Sequence, residues 1–208
     1  MRRKGSYNQR YAGDEYYWGK KPSFTCIKVI ELVHPTPTFR PKLIDLGCGE
    51  GRNAVYFAQR GFDVVALDLS LPGIEKTKRY AKETGANVTT IHANILEYEI
   101  KDTYDVIFST GTLHFLPPET RGQHFQNYKD HTSPNGINAI SVFVKKPFIP
   151  RAPDLDRDAY HFTSGELLSY YWDWEVLYCV EEIFECASGH VSHKHAVNRV
   201  IARRYQRE

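Results

Sequence analysis

No stretch of this 208-residue chain approaches the roughly 18 consecutive apolar residues that a membrane span requires. The start, Met1-Arg2-Arg3-Lys4, runs into the polar Gly5-Ser6-Tyr7-Asn8 rather than an apolar core. A signal peptide is therefore not expected, and the reading is a cytoplasmic protein without membrane partners. Charge of one sign is missing too. A net charge of +2 leaves no electrostatic footprint for nucleic acid over the whole chain. The four cysteines, Cys26, Cys48, Cys179 and Cys186, contain no C-x-x-C pair, so free thiols are expected rather than a disulfide framework or structural zinc. Repeats and low-complexity segments are absent as well. What remains open is work on small molecules.

Hydrophobic residues make up 41% and charged residues 25% of the chain, an ordinary globular balance. At about 150 residues per domain the length fits one folding unit. Residues 1–22 read as an aromatic and basic arm, and the cluster Tyr16-Tyr17-Trp18-Gly19 argues that it folds over the body formed by residues 23–208. Ser23 caps a helix to about Val33, which Pro35-Thr36-Pro37 ends.

From Lys42 onward strands and helices alternate. Strands are predicted at Leu43 to Leu46, Phe62 to Leu67, Val88 to His92, Tyr104 to Ser109 and Asn138 to Val144, with helices at Arg52 to Arg60, Leu71 to Glu83 and Glu119 to Asp130. Ser70 is the N-cap of the second of these helices. After a loop from Lys145 to Phe162, Ser164 opens a short helix. Two β-rich runs, Trp174 to Ile183 and Lys194 to Ala202, close the chain, joined by a hairpin link at Ala187-Ser188-Gly189-His190. Such alternation predicts an α/β fold, a mostly parallel sheet covered by helices on both faces.

Asp45-Leu46-Gly47-Cys48-Gly49-Glu50-Gly51 joins the first strand to a helix, where glycines let a backbone approach a ligand closely. The dinucleotide fingerprint wants G-x-G-x-x-G, and here the third glycine comes one residue early. A loop with only a packing role is the alternative.

This block resembles motif I of the class I S-adenosylmethionine-dependent methyltransferases, and the alternation over residues 40–203 is similar to their Rossmann-like fold. That resemblance implies seven strands with the last one antiparallel. It also implies S-adenosylmethionine as cofactor and S-adenosylhomocysteine as product. Asp45 would orient the amino end of the cofactor, with Gly47, Cys48, Gly49, Gly51, Arg52 and Asn53 around it. Asp68, at the end of the second strand, would accept both ribose hydroxyls, flanked by Leu69 and Ser70. Asn94, between Ala93 and Ile95, stands where the family carries an acid for the adenine amino group, and its amide oxygen can accept the same hydrogen bond. Ser109, Thr110 and Gly111 follow the fourth strand, at the sheet edge where the methyl group would lie. Trp18, with Tyr17, could close over the sulfonium through its π-face. Lys20 and Lys21 either steer an anionic acceptor or form a solvated pair.

Further blocks, Tyr16 to Pro22, Gly51-Arg52-Asn53, Ser109 to Leu113 and Val200 to Arg204, resemble the tellurite-resistance methyltransferases of the TehB type. The resemblance implies a small polarisable acceptor: a chalcogen oxyanion such as tellurite or selenite, or a thiol. Where that family uses a histidine and arginines, this chain has Gly189-His190-Val191-Ser192-His193-Lys194-His195. His193 and His195 alternate along a strand and share one face, as an acceptor site with a base near neutrality, as a polar surface, or as a metal site. The metal reading needs His190 as third ligand and finds no carboxylate or thiol beside it, so no metal is expected. His114 is the third catalytic candidate, with core packing as its alternative. Two other functions stay in view: a methyltransferase acting on nucleic acid or protein through Arg199, Arg203, Arg204 and Arg207, and a non-catalytic cofactor-binding module.

Overall fold

The computed structural model describes residues 6–150, 152, 159–186 and 192–205. Its elements, in order, are α1 (Ser6–Arg10), α2 (Phe24–Leu32), β1 (Lys42–Leu46), α3 (Arg52–Gln59), β2 (Asp63–Asp68), α4 (Leu71–Thr84), β3 (Val88–His92) and β4 (Tyr104–Thr110). A 3-10 turn at Leu113–Phe115 follows, then α5 (Pro118–Asp130), β5 (Thr132–Val144), α6 (Glu166–Ser169), β6 (Glu175–Cys186) and β7 (His193–Arg203). One seven-stranded sheet runs β3-β2-β1-β4-β5-β7-β6. β1 to β5 pair in parallel, and β7 runs antiparallel to both β5 and β6. The strand order reverses between β1 and β4, and ligands bind at such switch points, beyond the carboxyl ends of the strands.

Local chemistry explains most boundaries. Ser23 Oγ accepts the amide of Cys26 at 3.2 Å and starts α2, and Ser70 Oγ accepts the amide of Gly73 and starts α4. α4 ends at Gly85, in the left-handed conformation that closes helices. Ser164 does not open α6. The N-cap is Gly165, while Ser164 Oγ accepts from Lys146 Nζ and donates to Glu181.

β5 begins six residues before the predicted Asn138. Thr132 pairs with Tyr104, the register then shifts, and Asn135 takes φ 61° before pairing resumes at Ile137. Ser133-Pro134-Asn135-Gly136, which precedes the predicted strand, is a bulge within a longer one.

Alternation along the parallel strands builds two cores. Ile44, Leu46 and Ile107 face one side, with Leu113, Phe125, Tyr128 and Tyr171. Leu43, Val106 and Phe108 face the other, with Val29, Ala54, Phe57 and Phe62. A buried arginine braces the first side: Arg121 donates to Leu116 O, to Tyr160 O and to Glu166 Oε1, and lies 3.7 Å over the Phe162 ring. No helix among the described residues is long and apolar enough to cross a membrane.

The aromatic arm packs on α4 and the glycine loop. Tyr11 is buried, and its hydroxyl accepts from Trp18 Nε1 at 3.0 Å. Lys76, itself buried, donates to Glu15 O at 2.5 Å and pairs with buried Glu50 at 2.6 Å, while Glu50 also accepts the amide of Trp18. Removing one partner of such a pair strands a buried charge, so the pair fixes where the arm lies.

Candidate active site

The glycine loop leaves β1 with positive φ at Gly47, Gly49 and Gly51, and the amides of Gly47 and Cys48 donate to Leu67 O at the end of β2. At Gly47 the positive φ and close packing coincide, because a Cβ there would stand 2.0 Å from Thr112 Oγ1. Backbone from β1 thus packs directly on the Thr112 side chain, in the turn after β4, where no residue with a Cβ would fit.

Asp68 organises the loop. Its Oδ2 accepts the amide of Gly49 and its Oδ1 that of Ser70, each at 2.8 Å. Burial nonetheless raises its pKa, and the amides of Ser70 and Gly49 oppose that rise. Asn53 Oδ1 accepts the amide of Ser23, and Nδ2 donates to Thr110 Oγ1, joining α2, α3 and the end of β4.

These residues line a cavity of about 610 Å³. Of the residues expected around the cofactor, Gly47, Cys48, Gly49, Arg52, Asn53, Asp68, Leu69, Ser70, Asn94, Ile95, Thr110, Gly111 and Trp18 line it. Asp45, Gly51, Ala93, Ser109 and Tyr17 do not. Gly51 caps α3 and meets Thr77, and Ser109 Oγ is spent on Leu46 O. Ala93 hydrogen-bonds Asp68 O through its amide, and Tyr17 stacks edge-on with Trp18.

Asp45 lies beneath the loop, 1% exposed, and its Oδ2 has no hydrogen-bond partner among the described residues. Burial, then the neighbouring Asp68, raises its pKa to about 8. Asn94 Oδ1 accepts the amide of Leu96 and keeps a second lone pair, while Nδ2 donates to Glu97.

At the other end the walls come from the 3-10 turn, β5, β6 and β7. His114 is fully buried between Phe115 and Phe143, with ring centroids at 4.4 and 5.1 Å. Its Nδ1 has no partner among the described residues, and burial, then His161, Arg121 and His195, lowers its pKa to about 3. A base titrating near neutrality is therefore not available at His114, which stays a neutral imidazole.

His195 lies 4.7 Å from Phe143 and 5.6 Å from Phe184, and it lines the cavity. His193 does not line it; its Nε2 sits 2.9 Å from that of His195. The face of β7 that carries both histidines turns toward the cavity, since Phe184, Cys186, Val197 and Arg199 of the same hairpin face line it as well.

The absence of a thiol near the histidines, read from sequence, is corrected by the register, which sets Cys186 opposite His193. His190 lies outside the described residues. Lys20 pairs with Glu83 and lies 4.5 Å over the rings of Tyr16 and Tyr80, so it docks the arm. Arg199 pairs with Glu182, Arg203 with Glu175, and Arg204 donates to carbonyls at the end of α5 and to Thr132 O at the start of β5; Arg207 lies outside the described residues.

Sequence reasoning missed Tyr11, Glu50, Lys76, Phe143, Phe184 and Cys186. For Cys186 the sequence carried no signal: the predicted link Ala187-Ser188-Gly189-His190, which lies outside the described residues, would set Cys186 opposite Val191, and only the strand register sets it opposite His193.

Asp45 with an oxygen unpartnered among the described residues, a glycine loop whose backbone lines the cavity, and a carboxylate at the end of β2 are the donor set that a cofactor with an ammonium group and a ribose needs. The family model described as tellurite resistance protein TehB matches residues 10–200. This chain belongs to the TehB family. It is 32% identical over 168 residues to a protein named probable S-adenosyl-L-methionine-dependent methyltransferase TehB, from Haemophilus influenzae, covering 80% of this chain and 57% of that one.

The crystal structure of TehB from Haemophilus influenzae superposes with a TM-score of 0.77 at 26% identity, covering 95% of this chain and 65% of that one. The fold is also that of a Burkholderia thailandensis 1,6-didemethyltoxoflavin-N1-methyltransferase solved with S-adenosylhomocysteine: TM-score 0.63, 20% identity, 88% of this chain and 77% of that one. The fold is therefore that of the class I S-adenosylmethionine-dependent methyltransferases. The chain spans less than two thirds of the length of the TehB relatives.

Proposed function

We propose that this chain is an S-adenosylmethionine-dependent methyltransferase acting on a small polarisable nucleophile, a thiol or a chalcogen oxyanion of the selenite and tellurite kind. The observation that carries the reading is the continuous cavity, which joins the glycine loop and Asp68 to His114, Phe143 and His195. Its volume is in the range of small-molecule sites. The cofactor, when bound, supplies an electrophilic methyl group on a sulfonium.

The chain's own residues do the rest. Asp68 accepts the ribose hydroxyls, Asn94 holds the adenine amino group, and Asp45 beneath the loop answers the ammonium. Phe115, Phe143 and Phe184 exclude water, so that a soft nucleophile is desolvated where it reacts. Neutral His114 orients the acceptor by a hydrogen bond, and His195 presents a second imidazole from the opposite wall. A polymer acceptor finds less support, because Arg199, Arg203 and Arg204 are engaged in the fold.

Calorimetric titration with S-adenosylmethionine, with NAD as control, tests the cofactor. Binding of S-adenosylmethionine alone is expected, weakened about 100-fold or more by Asp68→Ala, which removes hydrogen bonds to a charged group. Formation of S-adenosylhomocysteine with selenite, tellurite or small thiols then tests the acceptor. Binding without turnover on any of them would leave a cofactor-binding module, and no binding would end the proposal.

A further inference from the structure

The end of the β6–β7 ladder carries three metal-ligating side chains on one face. Cys186 pairs with His193 and Phe184 with His195, so the alternation of each strand turns residues 184, 186, 193 and 195 the same way. The donor atoms of Cys186, His193 and His195 all lie within 4.8 Å of one another, and the two Nε2 atoms approach to 2.9 Å. A tetrahedral site with ordinary zinc–nitrogen and zinc–sulfur lengths holds its donors about 3.3–3.7 Å apart, which small side-chain adjustments reach from here. Phe143 and Phe184 flank the His195 ring and limit its rotation. The two strands hold the ligands, and Cys186 and His195 both open onto the cavity.

We infer that Cys186, His193 and His195 form a three-ligand site for a borderline-soft divalent cation such as Zn²⁺, whose fourth position faces the cavity and takes the sulfur of a small thiol. One thiolate and two imidazoles suit zinc, and three protein ligands with one open position mark reactive rather than structural zinc sites. A thiol R–SH entering that position gives its proton to solvent and donates a sulfur lone pair to the metal; nothing is oxidised or reduced. The metal site stands by itself, while its use for an acceptor thiol rests on the methyltransferase reading. It also explains why a hydrophobic cavity wall carries a cysteine among imidazoles and aromatics.

The test uses the full, tag-free chain, treated with chelator, kept reduced with a phosphine and titrated with Co²⁺ as the spectroscopic substitute for Zn²⁺. One equivalent should bind, with tetrahedral d–d bands and a thiolate-to-metal charge-transfer band. Cys186→Ser should remove that band and weaken binding about 100-fold, at the upper end of what losing even a supporting partner costs. Cys179→Ser, on the exposed part of β6, should change neither.

Added 2-mercaptoethanol should restore a charge-transfer band in Cys186→Ser and strengthen it in the unmutated protein. No band in the unmutated protein, or a band that survives Cys186→Ser with circular dichroism unchanged, overturns the site. Indifference to 2-mercaptoethanol overturns the open position. S-adenosylmethionine titrations of the same samples keep the two proposals apart: loss of cofactor binding by metal-replete protein sinks the methyltransferase reading and leaves the cobalt spectra standing.

Discussion

The two ends of the cavity are built by different means. At the end proposed for the cofactor, the β1 loop and the end of β2 line the cavity, tied by short hydrogen bonds from Gly49 and Ser70 to Asp68 and buttressed by Thr112 and Thr77 against the glycines. At the end proposed for the acceptor, His114 comes from the turn after β4, Phe143 from β5, and Phe184, Cys186 and His195 from β6 and β7. The first end depends on backbone conformation within a strand–loop–helix unit; the second depends on the register of strands far apart in sequence. Substitutions at the first should therefore act on cofactor affinity and stability, and those at the second on turnover.

The largest effect that sharpens this contrast is at Asp45. Its folded pKa, about 8, lies above the ordinary carboxylate value of 3.8, so the native state binds the extra proton. The stability it contributes is complete below about pH 4 and is lost as pH rises through 8. Asp45→Asn removes that dependence and should gain on the order of 4 kcal/mol relative to the unmutated protein between pH 5 and pH 9. Denaturant melts at the two pH values measure it, and a gain that does not grow with pH would show Asp45 already ionised and paired. The same variant should bind S-adenosylmethionine less well.

At the proposed acceptor end, His114→Phe, which keeps a ring and removes both nitrogens, should lower turnover about 10- to 100-fold, the range for losing one buried hydrogen-bonding partner, with cofactor affinity unchanged. Because burial lowers the His114 pKa to about 3, the unmutated protein's turnover should show no limb from it between pH 5 and pH 9. A calorimetric loss of cofactor affinity in this variant would break the division between the ends. The smallest effect belongs to the arm that bridges them. Tyr7 meets Phe115 edge-on at 6.0 Å while Trp18 bonds Tyr11 over the loop. Trp18→Ala should cost about 1 kcal/mol of cofactor affinity, roughly fivefold; unchanged affinity would take Trp18 out of the site.

The cofactor end was legible because its signals are local. Asp45 to Asn53 lies between an apolar strand and a helix, Asp68 ends the next strand, and Ser70 with Pro72 starts α4 where expected. Even there, the glycine pattern could not show that Asp45 sits below the cavity rather than in its wall, since that depends on which way the end of β1 turns its side chains. The acceptor end was legible only as single residues. His193 and His195 could be seen to share a face, but not that Cys186 shares it or that His193 stands behind His195. The buried pair of Lys76 and Glu50 left no trace either, because residues 26 positions apart meet only when the loop lies on α4.

The amino-acid sequence by itself determined the alternating elements, the caps that start α2 and α4, and the glycine loop with its two carboxylates, because each follows from residues within a turn or two of one another. The tertiary structure alone decided the bulge that lengthens β5, the docking of the arm, the burial that leaves His114 neutral and the meeting of Cys186 with two imidazoles. Those depend on strand register and on desolvation, which are set by partners distant in the chain and have no local signature.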